Sequence, residues 1–175
     1  MTGPTIETER LILRPLTLDD LDELAVLQAE PSFWWYPFQR GYSKDETRLW
    51  LERTIDEEQR DGYAVAAVVV RDSGLLAGWA GLAVPHFLPE VLPAVEVGWR
   101  LGKAFWHQGY ATEAGGAWVD HGFQERGLDE IISIFEPANE ASGAVMARLG
   151  FRFDRAVEMP DRDLTLHITK RSRPD

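Results

Sequence analysis

The chain has 175 residues, 45% of them hydrophobic and 27% charged, with no cysteine and a formal net charge of −11 at pH 7. That length suits one domain with a substantial core, and the missing cysteines exclude a disulfide framework, a thiolate zinc site and a cysteine nucleophile. The acidic balance argues against nucleic acid and anionic lipid as partners, because both are bound by basic surfaces.

No apolar run approaches the ~20 residues needed to cross a bilayer. Residues 1–10 hold three Thr and two Glu and lack an apolar signal core, so the expected setting is cytoplasmic with no membrane partner. Residues 11–16 read as a strand. Thr17-Leu18-Asp19-Asp20 then has the form of a capping box, opening a helix whose apolar stripe is Leu21, Leu24, Ala25 and Leu27. An aromatic loop follows at 31–38, with the sequence PSFWWYPF. Ser43 and Glu46 form an S-x-x-E box that starts a second helix, ended by Gly62.

Residues 63–70 and 75–84 are apolar and rich in strand formers about the turn 71–74, which predicts a hairpin. Three prolines make 85–93 a loop. Over 94–101, Val95, Val97, Trp99 and Leu101 alternate with Glu96, Gly98 and Arg100 across the two faces of a strand. A helix from about 112 to 125 precedes a strand at 130–135. Asn139 caps the next helix and Gly150 stops it. Two strands, 152–158 and 164–170, turn at Pro160-Asp161 and finish the chain. No linker, repeat or low-complexity block interrupts this order, so one α/β domain is predicted, with a mixed, mostly antiparallel sheet flanked by helices.

The segment Trp106-His107-Gln108-Gly109-Tyr110-Ala111-Thr112-Glu113-Ala114 joins a strand to a helix. Gly109 and Ala111 are small where backbone would meet a ligand, and the helix turns its free N–H groups back toward them. Such a turn binds an anion through amides and the helix dipole, without lysines. An ordinary tight turn has the same composition. Gly102-Lys103 fails as a phosphate loop on spacing and on Ala104, and no G-x-G-x-x-G is present.

Four stretches, TERLILRPLTLDDLDEL (8–24), VEVGWRL (95–101), HQGYATEA (107–114) and NEASGAVMARLGF (139–151), occur in that order. Together they resemble the GNAT acetyltransferase superfamily, in the branch similar to ribosomal-protein N-terminal acetyltransferases (RimJ/RimL-like). The resemblance implies a GNAT-like fold with a central splayed strand pair, and acetyl-CoA bound where the 95–101 and 130–135 strands part. It places the pantetheine arm beside backbone at Trp99 and Leu101, and the pyrophosphate on amides of His107, Gln108, Gly109, Tyr110, Ala111 and Thr112. Asn139 and Ser142 match the pair beside the pantetheine and thioester. Trp106 stands where Arg or Gln is usual, His107 where Gly is usual, and Met146 where many members carry a Tyr acid.

The implied activity is transfer of acetyl to a primary amine, a protein N-terminus or a small amine, by direct attack in a ternary complex. An amine of that kind is mostly ammonium at neutral pH, so a base or a water chain must take its proton. Glu96 is the candidate base; the alternative is a structural carboxylate paired with Arg100 on the same strand face. Ser142 could orient the sulfur or donate to the departing thiolate, or be a surface serine. The aromatic loop could hold a cationic amine by cation–π contact, or close the core or a homodimer interface. His86, His107, His121 and His167 lack metal-ligand spacing, so no metal is expected. Asp120 and His121 do not face each other on a helix, so they form no dyad. A non-catalytic acyl-CoA-binding or partner-binding module of the same fold is the competing reading, motivated by His107 and Met146.

Overall fold

The computed structural model describes residues 3–159 and 162–174, without the side chains of residues 37 and 38. The turn expected at Pro160-Asp161 lies outside the described residues. Eight strands form one sheet: β1 (Ile6–Glu7), β2 (Leu11–Arg14), β3 (Val65–Val70), β4 (Leu76–Ala83), β5 (Glu96–Leu101), β6 (Glu130–Phe135), β7 (Arg152–Met159) and β8 (Leu164–Ser172). Their spatial order is β1-β2-β3-β4-β5-β6-β8-β7. Every neighbouring pair is antiparallel except β5 and β6. The helices are α1 (Leu21–Ala29), a short turn α2 (Trp35–Phe38), α3 (Lys44–Asp61), α4 (Tyr110–Gln124) and α5 (Glu140–Arg148).

Each end of α3 follows from its sequence. Ser43 Oγ accepts from the Glu46 N–H at 3.2 Å and Glu46 Oε2 accepts from the Ser43 N–H at 2.8 Å. Gly62 then ends the helix at φ 73°, its N–H donating to the Glu58 carbonyl, a left-handed position that glycine adopts without steric cost. The Thr17–Asp20 box forms as well, although the first turn it opens is a 3-10 turn at Leu18–Asp20. Strand β1 was not expected from the sequence, and several boundaries differ from that reading by a residue or two. Strand β2 stops at Arg14, because Pro15 has no N–H to extend the ladder. Helix α4 begins at Tyr110, two residues before the expected start, because Gly109 is its N-cap.

Two apolar layers cover the sheet. On one face α4 and α5 bury Trp118, Val119, Phe123, Val145, Met146 and Leu149 against Leu11, Val68, Ala80, Val97 and Leu101. On the other, α1 and α3 bury Leu24, Trp50 and Leu51 with Phe33, Trp34 and Leu76. Both layers meet at β5, whose alternation sends Val97 and Leu101 to the α4 side and Glu96 and Arg100 to the side of α1 and α3. Helix α4 lies close on β5 because Gly115 has no side chain: a Cβ there would stand 3.1 Å from the Trp99 ring.

Candidate active site

The parallel pair β5 and β6 holds together at one register position, Glu96 opposite Ile132. There the Ile132 N–H donates to the Val95 carbonyl at 3.0 Å. One step further, the Val97 carbonyl is met by the Ser133 hydroxyl at 2.8 Å instead of by backbone. Beyond that the described residues show no further β5–β6 pair, so the strands part. Backbone groups two residues apart on a strand point the same way. The N–H and C=O of Trp99 and Leu101 are therefore turned, like those of Val97, into the gap. A strand edge left open in this way offers donors and acceptors to any extended chain that enters it.

Ser133 is 1% exposed, and its carbonyl in turn accepts from the Thr169 hydroxyl at 3.0 Å. This apex residue was not singled out from the sequence. A lone serine inside the apolar strand EIISIF was the available signal, since a buried hydroxyl needs a partner.

The far end of the gap leads to the N-terminus of α4, where no side chain caps the helix. Its approach is strongly shaped. His107 has φ 60° and Gly109 φ 80°, two left-handed residues within three positions. A Gly-to-His exchange at 107 therefore keeps the turn at the expense of strain, since side chains disfavour that region. Trp106 donates its indole N–H to the Leu101 carbonyl at 2.8 Å, so that carbonyl is already engaged while the Leu101 N–H is not taken by it. Gln108 anchors the turn at both ends: its side-chain amide donates to the Ala104 carbonyl, and its own carbonyl accepts from Arg10 Nη1 at 2.8 Å. Arg10 is paired with Glu113 at 2.6 Å and lies over the Tyr110 ring, 4.8 Å from its centroid. Glu113 also accepts from the Thr8 hydroxyl and the Arg10 N–H. The N-terminal strands thus hold the turn against α4 with a neutralised pair and leave its amides uncovered. Tyr110 and Ala111 are partly buried against the α4 core.

At the other mouth of the gap, Asn139 caps α5 by accepting from the Ser142 N–H at 3.2 Å. Asn139 and Ser142 are both partly exposed. Met146, one turn further, is 2% exposed and receives the Thr169 hydroxyl at 3.4 Å on its sulfur, so it faces the core.

Glu96 lies at the apex of the parting strands. Burial pushes its carboxyl up to about 8, against a smaller lowering by the Ile134 backbone N–H. No ion pair to Glu96 forms among the described residues, and the pairing with Arg100 considered from the sequence does not occur. Four residues of strand span about 13 Å, and Arg100 bonds elsewhere: its Nη1 donates to the Phe33 carbonyl at 2.6 Å. Its guanidinium stacks over Trp34 at 4.6 Å and lies 5.7 Å from the Trp79 ring. Phe33 and Trp34 of the aromatic loop are 1% and 5% exposed, so that part of the loop closes the core and its cation–π position is filled by the chain's own Arg100. Trp35 remains 48% exposed, and the Tyr36 hydroxyl donates to the Ala138 carbonyl beside Asn139. The gap thus opens toward the carboxyl ends of two parallel strands, where open sheets bind ligands, with the uncapped helix end at its mouth and the perturbed Glu96 carboxyl at its apex.

Among the described residues no group of three His, Asp or Glu could hold a metal ion, and no helix is long and apolar enough to cross a membrane.

Comparison with known proteins agrees with this arrangement. The model of the family described as "Acetyltransferase (GNAT) domain" matches residues 10–152. YkkB of Bacillus subtilis, described as uncharacterized, is 26% identical over 168 residues, spanning 93% of this chain and 94% of that one. An FsC-acetyl coenzyme A-N(2)-transacetylase of Aspergillus fumigatus is 33% identical over 155 residues, 84% of this chain and 64% of its own length. Among solved structures, RimL, a ribosomal L7/L12 alpha-N-protein acetyltransferase in complex with coenzyme A, superposes with a TM-score of 0.80. It is 18% identical and covers 97% of this chain and 98% of its own.

Proposed function

From the premise that the chain belongs to the GNAT acetyltransferase family, we propose that it moves the acetyl group of acetyl-CoA onto a primary amine by direct attack in a ternary complex. The observation that carries this reading is the open β5 edge leading to an uncapped α4 N-terminus. The amides of a pantetheine arm match the free backbone groups of Trp99 and the N–H of Leu101. A pyrophosphate matches the amides of the turn, with His107, Gln108 and Gly109 leading into Tyr110, Ala111 and Thr112. The coenzyme A carried by RimL and the acetyl-CoA in the name of the Aspergillus enzyme point the same way.

In this reading each residue of the site takes one role. The acceptor nitrogen attacks the thioester carbon, the C–S bond breaks, and the ammonium proton leaves to Glu96, directly or through water. A carboxyl raised to about 8 is a stronger base than an ordinary carboxylate, and about a tenth of it is ionised at pH 7. Ser142, on the first turn of α5 beside Asn139, orients the sulfur and donates to the departing thiolate. Met146 faces the core, so we assign it no proton transfer. A cytoplasmic setting, where acetyl-CoA and amines meet, accords with the cysteine-free sequence.

The test has two parts. Acetyl-CoA at 100 times its Kd should stabilise the fold by about 2.7 kcal/mol, read as a thermal shift. Free thiol should then be released from acetyl-CoA in the presence of an amine panel. No shift at millimolar acetyl-CoA sinks the binding reading; a shift without thiol release sinks the transfer and leaves a non-catalytic acyl-CoA-binding module.

A further inference from the structure

Arg100, like Arg126 and Arg171, bonds a backbone carbonyl instead of a carboxylate, and of these three it is the one set between two tryptophans. Acidic residues outnumber basic ones by 29 to 18, and Arg10, Arg14, Arg40 and Arg60 each close on a carboxylate at 2.6 Å. Arg100 is deeply set between Trp34 and Trp79, yet it makes no ion pair among the described residues. Among the described residues its one hydrogen bond runs from Nη1 to the Phe33 carbonyl. Its Nε is sealed from solvent with no partner. Five N–H donors in a fixed fork are thus left with one acceptor between them. The residue nevertheless keeps part of its surface accessible.

The surroundings say what is missing. Arg100 projects from the same face of β5 as Glu96, at the opening end of the gap. Glu136, the first residue after β6, feels the guanidinium electrostatically. The Tyr36–Ala138 hydrogen bond draws the aromatic segment toward the same connection. A positive group and two carboxyls therefore flank the opening where β5 and β6 part. Burial lowers the Arg100 guanidinium to about 10, which still leaves it charged at neutral pH. A half-buried, charged fork without a counter-ion is the arrangement that a planar oxyanion relieves, by charge-assisted hydrogen bonds.

We propose that Arg100 selects the acceptor, and that the acceptor is an amine carrying a carboxylate. The carboxylate docks on the guanidinium fork while the amine lies toward Glu96 and the thioester. This deepens the acetyltransferase reading and rests on it. Polyamines and aminoglycosides are disfavoured, because they would bring further positive charge against a half-buried cation. The acidic surface of the whole chain does not decide this, since a contact charge inside the cleft outweighs a screened surface. The shared chemistry has two sources, a free amino acid-like molecule or a peptide N-terminus with an acidic side chain.

The experiment compares acceptors that differ only in that charge: leucine with leucinamide, and a peptide beginning with glutamate with one beginning with glutamine. Each is assayed with acetyl-CoA by released thiol. The acid should exceed its amide in kcat/KM by about 10–100-fold, mostly through KM, and preference in the first or second pair tells the two sources apart. Arg100→Met should bring the ratio to about one, and Arg100→Lys should keep part of it. The acid-to-amide ratio within one variant does not depend on how much of it is folded. Should Arg100→Met fail to fold, the parent and Arg100→Lys ratios decide. Amides or spermidine turned over as well as the acids by the parent, or a ratio untouched by Arg100→Met, overturns the proposal. If no amine yields thiol, the transfer reading has failed separately. N-acetylleucine against its amide, titrated into the protein with CoA and followed by tryptophan fluorescence, then settles the carboxylate: acid-selective binding lost in Arg100→Met upholds it, and equal binding refutes it.

Discussion

Replacing Glu96 with Gln removes a proton acceptor while keeping the shape and hydrogen-bonding of the side chain. With its carboxyl at about 8, Glu96 is ionised to about 1% at pH 6, about 10% at pH 7, about half at pH 8 and about 90% at pH 9. The parent's kcat, which reports groups in the ternary complex, should therefore rise about 90-fold from pH 6 to pH 9. The full contribution of a positioned base is about 10²–10⁴, but the parent realises only the ionised fraction of it. The deficit of Glu96→Gln should thus be smallest at pH 6 and widen toward pH 9. It should narrow again only where the acceptor itself loses its proton in bulk solvent.

Stability should move in the opposite sense to activity. Folding raises the Glu96 carboxyl from 4.5 to about 8, so the native chain holds this proton more tightly than the unfolded one. The stability linked to it is fully present below about pH 4.5 and is lost as pH rises to about 8. Gln carries no such linkage. The variant should gain on the parent between pH 5 and pH 8.5, by a few kcal/mol in order of magnitude. Steady-state kcat at saturating acetyl-CoA and acceptor, with calorimetry of both proteins at pH 5 and 8.5, reads both effects. A flat parental profile, unchanged turnover in the variant, and a variant less stable than the parent at pH 8.5 would together remove Glu96 from proton transfer and make it structural.

Gly109→Val should abolish the acetyl-CoA thermal shift while the protein still folds, because φ 80° is closed to a β-branched residue and its Cβ would come within 3.3 Å of Arg10; an unchanged shift places the pyrophosphate elsewhere. His107→Gly should raise stability by about 1 kcal/mol in thermal unfolding, by releasing a side chain from φ 60°, with acetyl-CoA binding retained. A loss of stability there would mean that the imidazole makes a contact outweighing the strain. Ser142→Ala should lower kcat about tenfold with acetyl-CoA affinity unchanged, the cost of one charge-assisted hydrogen bond to the leaving sulfur; equal turnover would return Ser142 to the surface.

What the sequence disclosed is local chemistry. The box at Ser43 and Glu46, the stop at Gly62 and the small residues at Gly109 and Ala111 each answer a backbone demand made within a few positions. What it concealed depends on partners far along the chain. Arg10 and Glu113 meet across 103 residues, and neither reads alone as the clamp of a ligand turn. Period-two alternation correctly put Glu96 and Arg100 on one face but carried no information on reach, so the ion pair it suggested did not form. The extent of the β5–β6 pairing was equally hidden: a strand edge is open or closed according to how its neighbour is pulled, here by β8 and by the hydroxyl of Ser133.

An acidic chain that uses a polyanionic cosubstrate looks contradictory only if binding is charged to whole side chains. Arg10, the one guanidinium bonded to the turn among the described residues, is already neutralised by Glu113, so little net positive charge stands there. The turn instead presents backbone amides held in place by left-handed residues, by Gln108 and by the Arg10–Glu113 pair. These dipoles act over a few ångströms, whereas the surface carboxylates act through solvent and are screened within about 8 Å. The net charge of −11 and a phosphate-binding turn therefore operate at different ranges. The same separation holds in the proposal for the acceptor side, where the half-buried Arg100 guanidinium, and not the acidic surface, sets the charge the amine must bring with it.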